Sequence, residues 1–286
     1  MSDGTELREG ESFAFRPLAR VECPSHSRTA HAARWRCRHR ENRRCPTATN
    51  VDMISFIIPA HNEEAWVGRC VSAIRGAMEV DGGEHEVILV DDSSADSTSS
   101  IAERQGARVI RVAHQQISAT RNAGAREARG DVLFFVDADT LVSAQVIQLA
   151  LRALSQGAVG GGCVPEFEGR LPMWWRAVYP LCVAGIRWLH QPGGSCLFCT
   201  RHAFEAIGGF SEAHYAAEDA VFVTALKRHG RFVLLTEPVV TSGRNLRAHS
   251  FWSIARLLAR LALRGPNGFR DRRGLDLWYR PLREKN

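Results

Sequence analysis

Two aspartates separated by one alanine, Asp137-Ala138-Asp139, directly follow the apolar run Leu133-Phe134-Phe135-Val136. Such a pair can offer oxygens to a hard divalent cation and leave coordination sites for water and phosphate. An acidic turn capping the next helix has the same sequence, so the pair takes its meaning from its company. Two polar clusters lie upstream, Pro59-Ala60-His61-Asn62-Glu63-Glu64 and Asp91-Asp92-Ser93-Ser94. The serines that follow Asp92, with Asp96, suit helix capping. The doubled aspartate exceeds what a cap needs, and a carboxylate there can accept from the N3–H of a uracil. Arg121-Asn122-Ala123-Gly124 can bring a guanidinium to a base carbonyl or a diphosphate, with Gly124 permitting close backbone approach. Downstream, Gly193-Gly194-Ser195 and Gly208-Gly209-Phe210 are turns, or places where a sugar passes the backbone. Glu218-Asp219 follows, with Asp219 the candidate general base. An acid at a helix start is equally suited to the helix dipole.

These residues need elements to hold them. Strands are expected at Ile54–Ile58, Val87–Val90, Arg108–Val112 and Val132–Val136, with helices between them at about 63–79, 95–105, 118–128 and 143–155. Strands joined by crossover helices imply a parallel, doubly wound sheet. The Pro59, Asp91 and Asp137 clusters then all stand at strand carboxyl ends, the edge where ligands bind in open α/β sheets. A further strand is expected at Ser195–Thr200, with Cys196 and Cys199 facing the same way or nearly so and packed in the core.

The chain has 286 residues and a net charge of +6, carried unevenly. Residues 1–52 contribute +3 and residues 244–286 contribute +8, which leaves −5 for the body between. A basic tail suits phosphate-bearing partners, or is simply solvated. Residues 1–52 lack sustained periodicity and are expected to be a disordered appendage. Met53 opens the ordered texture and is a candidate natural start. The eight cysteines are irregularly spaced and read as reduced thiols in a cytoplasmic protein; Cys37, His39 and Cys45 are a weak zinc alternative. No run of 18 uninterrupted apolar residues occurs, since Arg176 and Arg187 interrupt Trp174–Leu189. The stretch 251–264 is an amphipathic basic helix, suited to an anionic membrane surface or to packing against its own domain.

Taken in order, Ile57-Ile58-Pro59-Ala60-His61-Asn62-Glu63, Val90-Asp91-Asp92-Ser93-Ser94, Arg121-Asn122-Ala123-Gly124, Asp137-Ala138-Asp139, Gly193-Gly194-Ser195 and Glu218-Asp219 resemble the family 2 glycosyltransferases of the GT-A fold. The resemblance covers about residues 53–243. It implies an α/β, mainly parallel sheet flanked by helices, followed by the helical basic tail 244–286. By resemblance, Pro59, Asn62, Glu63, Asp91, Asp92 and Arg121 line the donor nucleoside, with Gly194 and Arg244 also on the donor. Asp137 and Asp139 serve a divalent metal, Mn2+ or Mg2+, and the diphosphate; Asp219 with Glu218 serves the acceptor. The implied reaction is inverting transfer from a nucleotide diphosphate sugar to a hydroxyl acceptor, lipid-linked acceptors included, in the cytoplasm or on the inner membrane face, with no nucleic acid partner. The Gln-x-x-Arg-Trp pattern of processive synthases is absent, which favours single transfers.

Other classes fit parts of the pattern. Phe134–Thr140 is similar to the nucleophile motif of haloacid dehalogenase-type phosphatases, and Asp91, Asp92 and Asp137 are similar to a phospho-receiver triad. Both ordinarily need a lysine at a later strand end, and the only lysines are Lys227 and Lys285. A non-catalytic sugar-nucleotide binder or membrane scaffold would need no base. Gly160-Gly161-Gly162 has the wrong continuation for dinucleotide binding.

Overall fold

The computed structural model describes residues 52–248 together with Ser250, Trp252, Ser253 and Arg256. The expected N-terminal appendage, the Cys37, His39 and Cys45 group, and nearly all of the basic helix 251–264 lie outside these residues.

The expected alternation is present. β1 (Ile54–Ala60), α1 (Val67–Asp81), β2 (His85–Asp92), α2 (Thr98–Arg104), β3 (Arg108–Val112), α3 (Ile117–Glu127) and β4 (Val132–Val136) follow in turn. After β4 come β5 (Thr140–Leu141), α4 (Ala144–Ser155), β6 (Gly160–Gly162), β7 (Pro165–Glu168) and α5 (Met173–Leu189). β8 (Cys196–Thr200), α6 (Arg201–Ile207), α7 (Glu218–His229), β9 (Phe232–Leu234), β10 (Val239–Ser242) and α8 (Arg244–Ala248) complete the described chain. Seven strands form one sheet in the order β3-β2-β1-β4-β8-β6-β9, and β5-β10-β7 form a small second sheet. β1 is parallel to β2 and β4, whereas β8 runs antiparallel to both β4 and β6.

The central strands are continuous apolar runs because both faces of the sheet are covered. Phe56, Phe134 and Phe198 stand side by side across β1, β4 and β8, with ring centroids 5.0 and 5.4 Å apart. Val67, Val71 and Ile74 of α1 and Val146, Ile147 and Ala150 of α4 cover that face. On the other face Phe135 meets Phe204, Phe210 and Phe222 from the α6–α7 region. Because side chains alternate with a period of two, Cys196 and Cys199 cannot face alike. They are both fully buried, Cys196 in the Phe134 layer and Cys199 in the Phe135 layer, which corrects the expected orientation while keeping the core role.

The three glycines of β6 answer to packing. A Cβ on Gly161 would lie 2.3 Å from the Val233 carbonyl and 2.4 Å from Phe198 Cζ. Two boundaries also differ from expectation. Pro59 and Ala60 belong to β1, and Thr241 and Ser242 lie within β10 of the small sheet, where pairing with β5 and β7 extends the strand. The strand order reverses between β1 and β4, so a crevice opens at their carboxyl ends.

Candidate active site

The loops after β1 and β2 are stitched together at this crevice. Asn62 donates its backbone N–H to Ser94 Oγ at 2.9 Å and accepts from the Ala95 N–H at 2.8 Å through its side-chain oxygen. Glu63 N–H donates to Thr98 Oγ1 at 2.7 Å. His61 Nδ1 lies 2.7 Å from the Asp92 carbonyl. Pro59 is buried in β1, paired in register with Val90. Among the described residues five non-glycines have positive φ, namely Asn62, Ser93, Gln115, His190 and Ala217. All five lie in loops bordering the crevice or leading into it. Backbone strain of this kind, of order 1–3 kcal/mol each, gathers where surrounding structure must hold a functional geometry.

Asp91 and Asp92 are buried and locally engaged. Asp91 accepts from the Ser94 N–H at 2.9 Å and from Ser99 Oγ. Asp92 accepts from the backbone N–H groups of Gln115 and Gln116 at 2.8 and 3.2 Å and from Thr120 Oγ1 at 2.7 Å. The second aspartate thus grips the start of α3, one turn before Arg121. Thr120 and the two glutamines were not singled out from sequence; a carboxylate facing the start of a helix was the available signal.

Arg121 is the largest fully buried side chain, only 1% exposed. Its guanidinium donates to Asp137 Oδ1 at 2.8 Å, Glu218 Oε1 at 3.2 Å and the Gly194 carbonyl at 3.2 Å. It also lies 5.2 Å from the Phe210 ring centroid. One side chain therefore joins the aspartate turn, the diglycine loop and the first turn of α7. Asn122 holds the approach to α7 by bonding both backbone groups of Phe210 and Glu212 Oε1. Gly194 packs closely here, since a Cβ would sit 3.0 Å from Arg121 Nη2 and 3.4 Å from Asp219 Oδ2.

Asp139 faces the other way. Its carboxylate accepts from Thr241 Oγ1 at 3.3 Å and lies 3.4 Å from Arg244 Nη2, which also binds Glu63 Oε1. Arg244 itself stands 5.9 Å from the Trp66 ring centroid. Glu63 Oε2 and Arg244 Nε are buried without a hydrogen-bond partner. Arg247, on the same short helix as Arg244, donates to the Glu168 carbonyl at 3.2 Å. Among the described residues no group of three or more His, Cys, Asp or Glu side chains is placed to hold a metal ion. Two hard carboxylates on one turn suit a cation that draws its remaining ligands from a diphosphate and water.

Burial pushes Asp139 up to about 7, with Arg244 pulling the other way and Asp137 and Glu63 adding to the rise. Burial likewise raises Glu218 to about 7 against the pull of Arg121, and raises Asp219 and Glu63. Elsewhere the balance reverses. Burial would raise Glu86, but the Arg129 N–H, Ser55 and Arg108 outweigh it, and the carboxyl is lowered. Carboxyl groups raised by burial and gathered in one crevice are the electrostatic pattern of a functional site. Asp219 accepts from the Ala220 N–H at 2.7 Å.

The phosphatase and receiver readings needed a lysine at a strand end. Lys227 instead donates from α7 to the Leu189 carbonyl at 2.9 Å, and Asp137 is held by Arg121.

Known proteins place this geometry. Residues 55–205 match the glycosyl transferase family 2 profile, "Glycosyl transferase family 2". Uncharacterized glycosyltransferase EpsJ of Bacillus subtilis is 36% identical over 105 residues, covering 34% of this chain and 29% of its own. The undecaprenyl-phosphate 4-deoxy-4-formamido-L-arabinose transferase of Shewanella sediminis is 32% identical over 97 residues, covering 32% and 29%. The matches therefore span less than a third of those relatives' length. Among solved structures, the mannosyltransferase PcManGT of Pyrobaculum calidifontis, in complex with GDP-Man and Mn2+, superposes with a TM-score of 0.53 at 20% identity, covering 76% of this chain and 66% of that one. Glucosyl-3-phosphoglycerate synthase of Mycobacterium tuberculosis, with Mn2+, UDP and glucosyl-3-phosphoglycerate, gives 0.53 at 21% identity, covering 74% and 79%. At such identity the likeness shows the fold, and the α/β sheet with its helical flanks is of the GT-A type. The strand-end clusters, their convergence at one crevice and the match over more than half the chain lead to one conclusion: this chain belongs to glycosyl transferase family 2.

Proposed function

We propose that residues 53–243 form a transferase domain that moves a sugar from a nucleotide diphosphate donor to an acceptor hydroxyl, one transfer at a time. The observation that carries this reading is the Arg121 hub, which holds Asp137, the Gly194 carbonyl and Glu218 within 3.2 Å of its guanidinium. A diphosphate side and an acceptor side are thereby fixed to one rigid centre. Orientation of this sort is a large part of what catalysis requires.

In this reading the stitched loops carrying Asn62 and Glu63, with Asp91 and Asp92 behind them, receive the nucleoside. Asp139, with Asp137, holds a divalent cation, Mn2+ or Mg2+. When bound, such a cation neutralises charge developing on the departing diphosphate. Arg244 offers a second cation on the same side. Asp219, raised by burial, takes the proton from the acceptor hydroxyl, and the freed oxygen attacks the anomeric carbon opposite the diphosphate. The carbon–oxygen bond to the diphosphate breaks as the new one forms, and the configuration inverts. Glu218, paired with Arg121, positions this end of α7. The relatives named for undecaprenyl phosphate support a lipid-linked acceptor.

The test is a screen of nucleotide diphosphate sugars by thermal shift and donor hydrolysis, with Mn2+, Mg2+ or EDTA. One donor class should raise Tm in a metal-dependent way, since a ligand that binds only the native state stabilises it by mass action. Absence of stabilisation and hydrolysis with every donor, in both metals, would remove the proposal.

A further inference from the structure

The helix between the donor crevice and the small sheet has an outer face that nothing in the chain's described residues covers. α5 contains no buried residue over its seventeen positions. Its most exposed positions recur at steps of three and four from Met173 to Trp188, which is one continuous helical stripe. That stripe includes Met173 at 75% exposure, Leu181 at 73% and Trp188 at 81%. It also carries Arg176 and Arg187, and α5 has no acidic residue at all. The opposite side is docked: Trp175 and Tyr179 stand edge-on to Phe167, and Tyr179 Oη donates to the Pro165 carbonyl at 2.7 Å. The stripe's orientation is therefore set by packing.

We propose that this outer face of α5 rests on an anionic membrane surface. An exposed aliphatic, aromatic and arginine stripe matches the interfacial zone, where apolar groups enter the acyl boundary and guanidinium groups reach phosphate. The two arginines are eleven residues apart, about 16 Å along the axis, so the helix would lie flat and bridge several headgroups. Charge decides against the competing occupants. A two-fold contact with a second copy would set arginine against arginine with no acid on the helix to compensate. The chain's own segment 244–286 carries +8, the same sign. Anionic lipid is the complementary partner.

The placement gives this contact a use. The Leu189 carbonyl at the end of α5 accepts from Lys227 of α7, and Gln191 donates to the Ala220 carbonyl, next to Asp219. A membrane under Trp188 would lie beside the acceptor end of the crevice. That use rests on the proposed transfer to a lipid-linked acceptor; the membrane contact itself does not.

Flotation of the full-length protein with phosphatidylcholine vesicles, with and without about 30% phosphatidylglycerol, tests it. The wild type should float only with the anionic vesicles and be released by high salt. Leu181→Asp with Trp188→Asp should lower the bound fraction at least tenfold, and each of Arg176→Glu and Arg187→Glu by about fivefold or more. Val80→Asp, at an equally exposed position on α1, should change nothing. Thermal shift by donor and metal should persist in every variant, so loss of flotation with retained donor response separates the membrane contact from the transferase reading. Equal flotation of the wild type and the double variant overturns the proposal. So does a wild type that fails to float; if it then sediments as a dimer that the same substitutions dissociate, the face belongs to a second copy.

Discussion

Two arginine–carboxylate assemblies flank the Asp137-Ala138-Asp139 turn, and they are built differently. Arg121 is sealed in the interior, 1% exposed, and bonded to groups from three separate chain segments. Arg244 begins the short α8, has a side chain 22% exposed, and bridges Glu63 and Asp139 from outside the main sheet. A buried guanidinium whose two terminal nitrogens are held by fixed partners acts as framework. One at the rim, seated on a carboxylate that also suits a metal, can be displaced. In the proposed transferase reading the turn has one permanent face and one exchangeable face, as binding and releasing a charged donor would require.

The largest expected effect tests the permanent face. Arg121→Ala strands Asp137 and Glu218 and should cost about 3–5 kcal/mol, as for a broken buried ion pair. For a domain of this size that corresponds to a Tm drop of roughly 6–20 °C. A variant with wild-type Tm would erase the distinction between the two arginines. Next, Asp219→Asn should keep metal-dependent donor binding while transfer falls by about 10²–10⁴, the usual range for a lost general base. Full transfer in that variant would take Asp219 out of the role. Asp139→Ala should then remove the metal dependence of donor binding with little change in the Tm of the free protein. A large loss of Tm there would mean that the outer face is framework as well. Arg244→Ala should leave Tm nearly unchanged, tighten binding of the metal alone, and weaken donor binding by roughly tenfold, the worth of one charge-assisted contact. Calorimetry with Mn2+ alone and with the donor would separate these two signs.

The smallest effect concerns pH. Glu218 stays protonated in the native state up to about 7, whereas in the unfolded chain it ionises at its ordinary value. The native state then holds more protons, so this contribution is present at acidic pH and is lost as pH rises toward 7. Glu63 and Asp219 act with the same sign, while Glu86 and Asp96, whose carboxyls are lowered, lose stability on acidification. The free protein should show a declining Tm between about pH 5 and 7, and transfer should rise with pH as Asp219, raised by burial, ionises. Asp139, also raised to about 7, acts with the same sign, so Glu218→Gln should lessen the Tm decline without abolishing it.

Much of the sheet was readable because β1, β2 and β4 have apolar cores that end in polar clusters, whereas β3, interrupted by Arg108 and Arg111, is marked by its β-branched residues. Beyond Asp139 the signal thins. β5, β6 and β9 are two or three residues long, too short for any period to appear, and β8 is antiparallel, which nothing in Cys196–Thr200 announces. The small sheet exists only through pairing over long separations, as in Val240 opposite Leu141. Arg121 was legible as a site residue but not as a buried one, since its partners lie 16 and 97 positions away. Trp174–Leu189 drew attention only as a failed membrane span; its face became visible once the covered side was known. Asp92 shows the reverse case: the sequence leaves either aspartate of the pair open to a uracil, and the Asp92 carboxylate is occupied by the start of α3.

The small sheet has a consequence for how the protein is made. β10 is its central strand, and it is also the strand that carries Arg244 to Glu63, 181 residues upstream. A nascent chain can therefore assemble both aspartates and the loops after β1 and β2 long before the strand that completes their outer side has left the ribosome. Until then β5 and β7 have no partner in that sheet and present open edges, the kind that pair with foreign strands. A product cut short before Val239 would carry the motifs without the finished site. Protease resistance should therefore appear late in synthesis and should mark full-length chains.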